Sequence, residues 1–475
     1  MYKLEFTLKQ HTPIIHFQYD QDGATLRATE VKPKLDRFLI EKFGRDILQG
    51  EKPNATRNDC YSRGLGMAQQ NGWLIKDKEA LDYKLNISPV NQSREEIPNR
   101  YPLYFGNTNK PENEQKHFTN SNSLKCLIIT HNNVLESHLE KNIIPFFSIN
   151  NFGSRQNKGF GSFSVIQINE IAKSWSNSNL PVNTPYFEVN SIDKKIVFEV
   201  IDYYWKRLKS GINYTYDRPN NFCLADGYEK SYLYKYLLSG GFTWEKRWIK
   251  ESFFSLIRNG KNPKFARGIM GLPNSFKYTE ETCNPDDNEY NRNQVNLTIT
   301  IKNLDKVIER IPSPFVFKPI KKRSSYDVYV LVNDFHIKEI YINPFYNKLD
   351  FRFYVHEEIN LDYRIGQNRY NDRFPPGTDL TNGQLKMHFD RLNANVRIPA
   401  LQRKFEKLQK QIGFILPLPI ASIDFHDLLL QYNIKELANS FTPIRMETEF
   451  NKTRRCRELI LVNVVNNVLI KTTCP

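Results

Sequence analysis

The spacing of apolar residues predicts alternating strands and helices in the first third of the chain. Alternation of apolar and polar residues is typical of strands, and apolar residues three or four positions apart are typical of helices. These patterns predict a strand from Lys3 to Ile15, a helix through Val31 and Phe43, a strand from Leu124 to Thr130, a helix from Asn133 to Ile144, and the strand FSVIQI that ends at Ile168. That order indicates an antiparallel sheet with helices on one face, as in a ferredoxin-like fold.

Between these elements lies a long polar stretch. Residues of about 44–123 are rich in Asn, Lys and Pro and contain only short apolar pieces. We interpret this stretch as an irregular insertion in a first domain that covers residues 1–175. For the first helix, Thr29 or Glu30 is expected to act as the N-terminal cap.

The rest of the chain divides into a helical block and a second α+β unit. Residues 176–269 are predicted to form a mainly helical insertion or linker, because Ile201, Tyr204, Trp205 and Leu208 have helical spacing. Residues 270–475 contain strand patterns and two predicted hairpins, with turns at Asn333-Asp334 and Asn466-Asn467. A helix is expected around Leu401 to Ile412. The fold class is therefore α+β.

The net charge of the chain indicates what kind of partner it binds. Lys and Arg total 67, Asp and Glu total 52, and the formal net charge is +15 at pH 7. Such an excess attracts polyanions, of which nucleic acid is the commonest. A basic protein with an evenly solvated surface is the alternative.

Other classes of protein are not favoured. The six cysteines are irregularly spaced and form no C-x-x-C pair, so neither a zinc site nor a disulfide scaffold is predicted. The N-terminal sequence has no signal-peptide pattern, and no run of about eighteen apolar residues predicts a membrane span. We expect a cytoplasmic protein without metal or cofactor.

The sharpest local feature is a glycine-rich basic segment, NFGSRQNKGFGSF, from Asn151 to Phe163. Glycines at 153, 159 and 161 permit left-handed backbone conformations and a close approach of the chain. Backbone N–H groups in such a loop, together with Arg155 and Lys158, can bind phosphates. The segment is neither a P-loop nor a dinucleotide fingerprint, because a strand and not a helix follows it.

Three blocks of sequence carry a resemblance to a known family. TLRATEVKPKLDRFL, from Thr25 to Leu39, matches a Leu-Arg-x-[Ser/Thr]-x-[Leu/Val]-[Lys/Arg] entry into a first helix. GSRQNKGFGS, from Gly153 to Ser162, matches a G-[SA]-R-x-x-[KR]-G-[FY]-G-S loop, and ERIPSPFVFKP, from Glu309 to Pro319, an R-x-x-S-P block. Together they resemble the RAMP superfamily of CRISPR-associated proteins, and within it most the first subunit of the Cmr-type (type III-B) complex.

The resemblance implies tandem ferredoxin-like (RRM-like) domains and an RNA-binding subunit of an antiviral ribonucleoprotein. Its implied partners are CRISPR guide RNA, target RNA and the other subunits of a type III complex, with no membrane. Carried over by position, the implied RNA contacts lie at the first helix and in the glycine loop. They are Arg27, Lys32, Lys34, Arg37, Arg155, Lys158, Gly159 and Gly161.

Catalysis stays an open alternative. Some RAMP proteins are metal-independent ribonucleases, and such chemistry needs a general base and a general acid, commonly His. The first helix has no His between Ala28 and Gly44. This leaves His11 and His16 near the end of the first strand, and Asp20 and Asp22 in the loop that follows, with His16, Asp20 and Asp22 as the candidates we retain. Asp-x-Asp-Gly is also ordinary turn chemistry. A non-catalytic RNA-binding subunit is favoured over a CRISPR RNA endoribonuclease and over a basic scaffold that does not bind RNA.

Overall fold

The computed structural model describes the N-terminal half of the chain almost continuously and the C-terminal half mainly as strands. The described residues are 1–16, 25–52, 55–98, 101–104, 106–107, 111, 114–213, 228–239, 275–283, 292–303, 313–332, 350–365, 368–372, 414–417, 444–451, 456–463 and 469–471. The helices are α1 (Ala28–Glu51), α2 (Arg57–Gln70), α3 (Asn133–Ile149), α4 (Lys194–Lys209) and α5 (Tyr232–Ser239). The strands are β1 (Tyr2–Gln10), β2 (Tyr83–Glu96), β3 (His117–Thr130), β4 (Phe163–Ile168), β5 (Ile171–Ala172), β6 (Tyr186–Val189), β7 (Ile212–Asn213), β8 (Tyr228–Glu229), β9 (Ser275–Cys283), β10 (Arg292–Asn303), β11 (Phe315–Lys321), β12 (Tyr326–Val332), β13 (Asp350–Ile365), β14 (Asn368–Asp372), β15 (Phe414–Pro417), β16 (Ile444–Asn451), β17 (Cys456–Asn463) and β18 (Leu469–Lys471).

The first sheet is antiparallel, with strand order β2-β3-β1-β4-β5. Two helices, α1 and α2, lie between β1 and β2 along the chain, and one helix, α3, lies between β3 and β4. Alternate residues of β1, namely Leu4, Phe6 and Leu8, are buried in one core with apolar side chains of α1 and α3. The expected α+β class is confirmed, while the tandem ferredoxin-like (RRM-like) domains stay a prediction.

Helix α1 starts differently from the prediction. It begins at Ala28 with Arg27 at the N-cap position, and no side chain caps it. Thr29 and Glu30 therefore lie inside the first turn, so neither is the cap. In contrast, α2 has a full capping box between Thr56 and Asp59.

The prediction of irregular structure over about 44–123 is wrong, because this stretch contains the end of α1, all of α2 and the edge strand β2. Helices α1 and α2 cross where two glycines meet. A Cβ on Gly44 would lie 1.7 Å from the carbonyl oxygen of Cys60, and one on Gly64 would lie 1.8 Å from that of Ile40. Close backbone contact at these glycines replaces part of the contact that apolar side chains usually make between helices. The sequence of α2 therefore lacks a full apolar stripe, and its pattern does not predict a helix.

A second sheet has the order β11-β12-β6 and packs against α4. It is tied to the first sheet through Lys318, which is fully buried. The Lys318 ammonium donates hydrogen bonds to the carbonyl oxygens of Asn150 (2.7 Å) and Phe163 (2.8 Å). Residues 315–321, which the sequence assigns to a second domain, therefore contact the ends of α3 and β4.

The chain forms two compact units. One comprises Met1–Tyr232, Phe315–Phe335 and Asp424–Pro475, and the other comprises Leu233–Pro314 and His336–Ile423. The second unit contains an antiparallel sheet with the order β14-β13-β10-β9, in which β15 also pairs with β13. The predicted domain boundaries at 175 and 270 stay predictions.

The sequence also predicts individual strands, hairpins and a helix that can be compared with the structure. The FSVIQI strand is confirmed as β4, and the C-terminal hairpin is confirmed by the pairing of β17 with β18. The helix expected around Leu401 to Ile412 and the turns at Asn333-Asp334 and Asn466-Asn467 lie outside the described residues.

Tyr326 provides a test of the link between the two sheets of the first unit. Its buried hydroxyl donates a hydrogen bond of 2.8 Å to the carbonyl oxygen of His11, beyond the end of β1. Tyr326→Phe should lower the free energy of unfolding by about 1–2 kcal/mol, because a buried carbonyl loses its partner. Tyr2→Phe, at a residue that is 44% exposed, should change the free energy of unfolding by less than about 0.5 kcal/mol. Equal effects in urea unfolding would contradict this link.

Candidate nucleic-acid interface

The glycine loop, Asn151–Ser162, joins α3 to β4 in a tightly folded path. Its centre is a single 3-10 turn at Gln156–Lys158, flanked by Arg155 and Gly159 in the left-handed conformation, with φ of 59° and 91°. Gly161 also has a positive φ of 64°, and a Cβ there would lie 1.9 Å from the carbonyl oxygen of Phe152. No residue other than glycine fits at 161 without moving the backbone.

The end of β1 holds this loop through backbone and hydroxyl groups. The Thr12 hydroxyl donates to the Gly159 carbonyl (2.6 Å) and accepts from the Ser162 N–H (2.9 Å). The Gly161 N–H donates to the Pro13 carbonyl over 2.9 Å. One threonine side chain therefore satisfies two polar groups of the loop, which fixes its shape.

The first turn of α1 holds the loop from another side. A carboxylate oxygen of Glu30 accepts a hydrogen bond from the Gly153 N–H (2.8 Å) and pairs with the Lys34 ammonium (3.2 Å). Lys34 in turn donates to the Gln156 side-chain oxygen (2.7 Å) and to the Asn151 carbonyl (3.3 Å). Burial lowers the pKa of Lys34, and the neighbouring Glu30 opposes that shift.

Strand β11 contacts the glycine loop from a third side. The Asn151 side-chain amide donates to the Phe317 carbonyl (2.7 Å), and the Ser162 hydroxyl donates to the Pro319 carbonyl (2.7 Å). The loop is thus bound by β1, α1 and β11 together, and it forms a rigid part of the first unit.

His11 lies beneath this junction. Its Nδ1 accepts a hydrogen bond from the Lys321 N–H (3.0 Å), so the neutral ring carries its proton on Nε2, which lies 2.8 Å from the Ser164 hydroxyl. Burial lowers the pKa of His11 well below its usual range, and the nearby Lys318 adds to this effect. A proton on Nδ1 would face the Lys321 N–H, which is itself a donor, so this contact holds His11 neutral.

The two cations of the loop have different surroundings. Arg155 is exposed, and its guanidinium forms no hydrogen bond or ion pair within the part of the chain that the structure describes. The Lys158 ammonium is buried over the indole ring of Trp205, 2.7 Å from its centroid, and has no hydrogen-bond partner among the described residues. Burial, followed by repulsion from Lys209, lowers the pKa of Lys158 well below its usual range.

The predicted contacts on the first helix do not all lie at the loop. Lys34 does, as described above. Lys32 instead pairs with Asp36 (2.9 Å), donates to the Leu81 carbonyl (2.7 Å) and lies over the ring of Tyr83. Arg37 pairs with Glu41 on the side of α2, and Arg27 is the half-exposed N-cap residue of α1. Loop and helix thus bring together Lys34, Arg155, Lys158, Gly159 and Gly161.

The histidine candidates lie in the segment that follows β1. His16 is 6% exposed, and Asp20 and Asp22 lie outside the described part of the chain. Within that part, no group of three or more His, Cys, Asp or Glu side chains could hold a metal ion. None of its helices is long and apolar enough to span a membrane.

Sequence reasoning missed the residues that hold the loop. No sequence pattern singles out Thr12, while Lys318 lies within the block Glu309–Pro319 and Trp205 within an apolar helix face. A lysine inside the apolar run FVFKPI was the one available signal, since buried lysines require nearby acceptors. The two contacts of Thr12 join residues about 150 positions apart, which no local pattern predicts.

The fit of Gly161 predicts a specific loss of stability. Gly161→Ala should lower the free energy of unfolding by about 1–3 kcal/mol from the left-handed backbone alone, with the clash against Phe152 added. Gly66→Ala is the matched control, because the interior of α2 leaves open space around Gly66. That substitution should stabilise the protein by up to about 1 kcal/mol. Thermal unfolding in which Gly161→Ala equals the wild type would contradict this packing.

His11 predicts a pH dependence of stability. Its folded pKa lies below that of the unfolded chain, about 6.5, so below this pH the unfolded state binds more protons. The stabilisation that the neutral ring provides is present above about pH 6.5 and is lost as the pH falls. The difference in unfolding free energy between wild type and His11→Gln should narrow by about 1 kcal/mol from pH 7.5 to 5.5. A difference that stays constant over this range would show that His11 is not held neutral.

Comparisons with known proteins place the chain in a family. The model of the Cmr1 N-terminal domain matches residues 1–212, and the model of the Cmr1 C-terminal domain matches residues 228–410. A crystal structure of Cmr1 from Pyrococcus furiosus in its apo form is similar, with 10% identity, a TM-score of 0.36, and coverage of 71% of this chain and 90% of that one. No curated protein matches. The two domain models, in order along the chain, show that it belongs to the Cmr1 family of RAMP proteins from the Cmr-type (type III-B) CRISPR complex.

Proposed function

We propose that this subunit of a type III-B CRISPR effector binds the phosphate backbone of guide or target RNA with its glycine loop and the first turn of α1. Family membership places it in the effector with other subunits. RNA binding by these particular residues is the step that we add, and it serves antiviral defence through the complex.

The observation that carries the proposal is the position of Arg155. A non-glycine residue in the left-handed conformation is uncommon, and this one lies at the apex of a loop held on three sides. Its exposed guanidinium is not used in an internal ion pair within the described part of the chain. A rigidly placed, unpaired arginine can bind phosphate oxygens through two N–H groups at low entropic cost.

The remaining cations of the site contribute differently. Lys34 and Lys158 are directed towards acceptors or rings of the protein itself, so in this conformation they shape the loop. The N–H groups of the three loop glycines donate hydrogen bonds within the protein, so the glycines contribute the shape of the loop and not anion binding. Arg155 is therefore the residue that we expect to contact phosphate directly.

Cleavage of RNA by the isolated chain is not part of this proposal. Of the catalytic candidates, His16 is buried. The alternative hypothesis is a basic scaffold that does not bind RNA, and measurement of RNA binding distinguishes the two.

Arg155→Ala tests the proposal without disturbing the loop contacts. The variant should bind single-stranded RNA several-fold more weakly, and the slope of log affinity against log salt should become shallower by about 0.7 for one lost phosphate contact. Filter binding or fluorescence anisotropy between 50 and 300 mM salt measures both quantities.

Arg63→Ala is the matched control. Arg63 is another arginine of the same unit, 54% exposed, with a single long contact of 3.7 Å to Glu51. It should leave the affinity and the salt slope unchanged. If Arg155→Ala and Arg63→Ala behave alike while both melt like the wild type, the glycine loop is not the RNA site.

A further inference from the structure

The outward face of the first sheet is open and carries a regular pattern of lysines. Helices cover the other face, where Leu4, Phe6 and Leu8 are buried, so the alternate residues of β1 point away from the core. Lys3, Lys84 and Lys125 are exposed on this outward face, and Lys9 is partly exposed. None of these four lysines forms an ion pair within the described part of the chain.

Strand register arranges this face into four rows across β2, β3 and β1. The twelve positions are Lys84–Ile129–Lys3, Asn86–Leu127–Glu5, Ser88–Lys125–Thr7 and Val90–Ser123–Lys9. Four are lysines, three are apolar, and Glu5 is the single acidic residue among the twelve. We call these twelve positions the lysine face.

The composition of the lysine face favours a protein over a nucleic acid as its partner. Sheets that bind single-stranded RNA stack bases on aromatic side chains, and none of the twelve positions is aromatic. Leu127 and Ile129 instead form a half-buried apolar centre with lysines around it. An apolar centre with a polar rim is the usual anatomy of a protein–protein contact.

The dimensions of the face fit a helix. Strands lie about 4.8 Å apart and outward residues about 6.7 Å apart along a strand, so the twelve positions span roughly 10 by 20 Å. A helix of about four turns has that width and length. Addition of another strand at the open edge of β2 is disfavoured, because Pro89 lies in that edge and Asn91 has a φ of 51°.

We propose that the lysine face docks an acidic amphipathic helix of another subunit of the effector complex. Its carboxylates would pair with Lys3, Lys84 and Lys125, and its apolar stripe would cover Leu127 and Ile129. This surface is separate from the glycine loop, and the inference rests on membership of the complex and not on the proposed RNA site.

A triple charge reversal tests the proposal in the assembled complex. Lys3→Glu, Lys84→Glu and Lys125→Glu together should weaken incorporation into a complex reconstituted with the other subunits and guide RNA by at least tenfold, measured by co-elution in gel filtration. The control is Lys76→Glu, Lys78→Glu and Lys141→Glu. These three lysines are also exposed, they lie outside the lysine face, and the change in charge is the same.

Affinity of each isolated variant for single-stranded RNA separates this proposal from the RNA site. The reversal and its control should agree within about twofold in RNA affinity. A selective loss of RNA affinity in the reversal would assign the face to nucleic acid and overturn the proposal, and so would normal assembly. If the reversal melts below the control, the matching Lys→Gln triple is used, and it should weaken assembly by a smaller factor.

Discussion

The contact between the glycine loop and the end of β1 is the constraint on which the rest of the site depends. The Thr12 hydroxyl binds two backbone groups of the loop, and the Gly161 N–H binds the carbonyl of Pro13. A Cβ at position 161 would lie 1.9 Å from the Phe152 carbonyl oxygen, so a side chain there would overlap the backbone. The glycines are therefore explained first by packing, and the exposure of Arg155 follows from the shape that packing imposes.

The basic side chains of the first unit fall into two groups, one buried and one exposed. Lys318 is buried and binds two backbone carbonyls, and Lys158 is buried against Trp205, so both hold parts of the fold together. Burying an ammonium group is costly unless acceptors or an aromatic ring compensate, and here such partners are present. Arg155 and Lys125, in contrast, are exposed and remain available to a partner. The net charge of +15 therefore overstates the number of cations that can bind RNA.

Local patterns predicted three strands of the first sheet, because β4 and the apolar parts of β1 and β3 have clear strand periodicity, but they did not predict the edge strand β2. They failed for α2, whose contact with α1 depends on the glycine pair Gly44 and Gly64. They also assigned the strand Phe315–Lys321 to a later domain, whereas it contacts the glycine loop. Motif resemblance identified the loop, but the difference in exposure between its two cations arises from tertiary packing.

The central claim is that RNA meets this subunit at the glycine loop and the first turn of α1. Photo-crosslinking of single-stranded RNA to the purified protein, followed by mass spectrometry of the crosslinked peptides, tests it most directly. The account predicts crosslinks within residues 151–162 and 27–34, which the bonds of Glu30 and Lys34 hold side by side. Crosslinks confined to other segments, with none in these two, would contradict it.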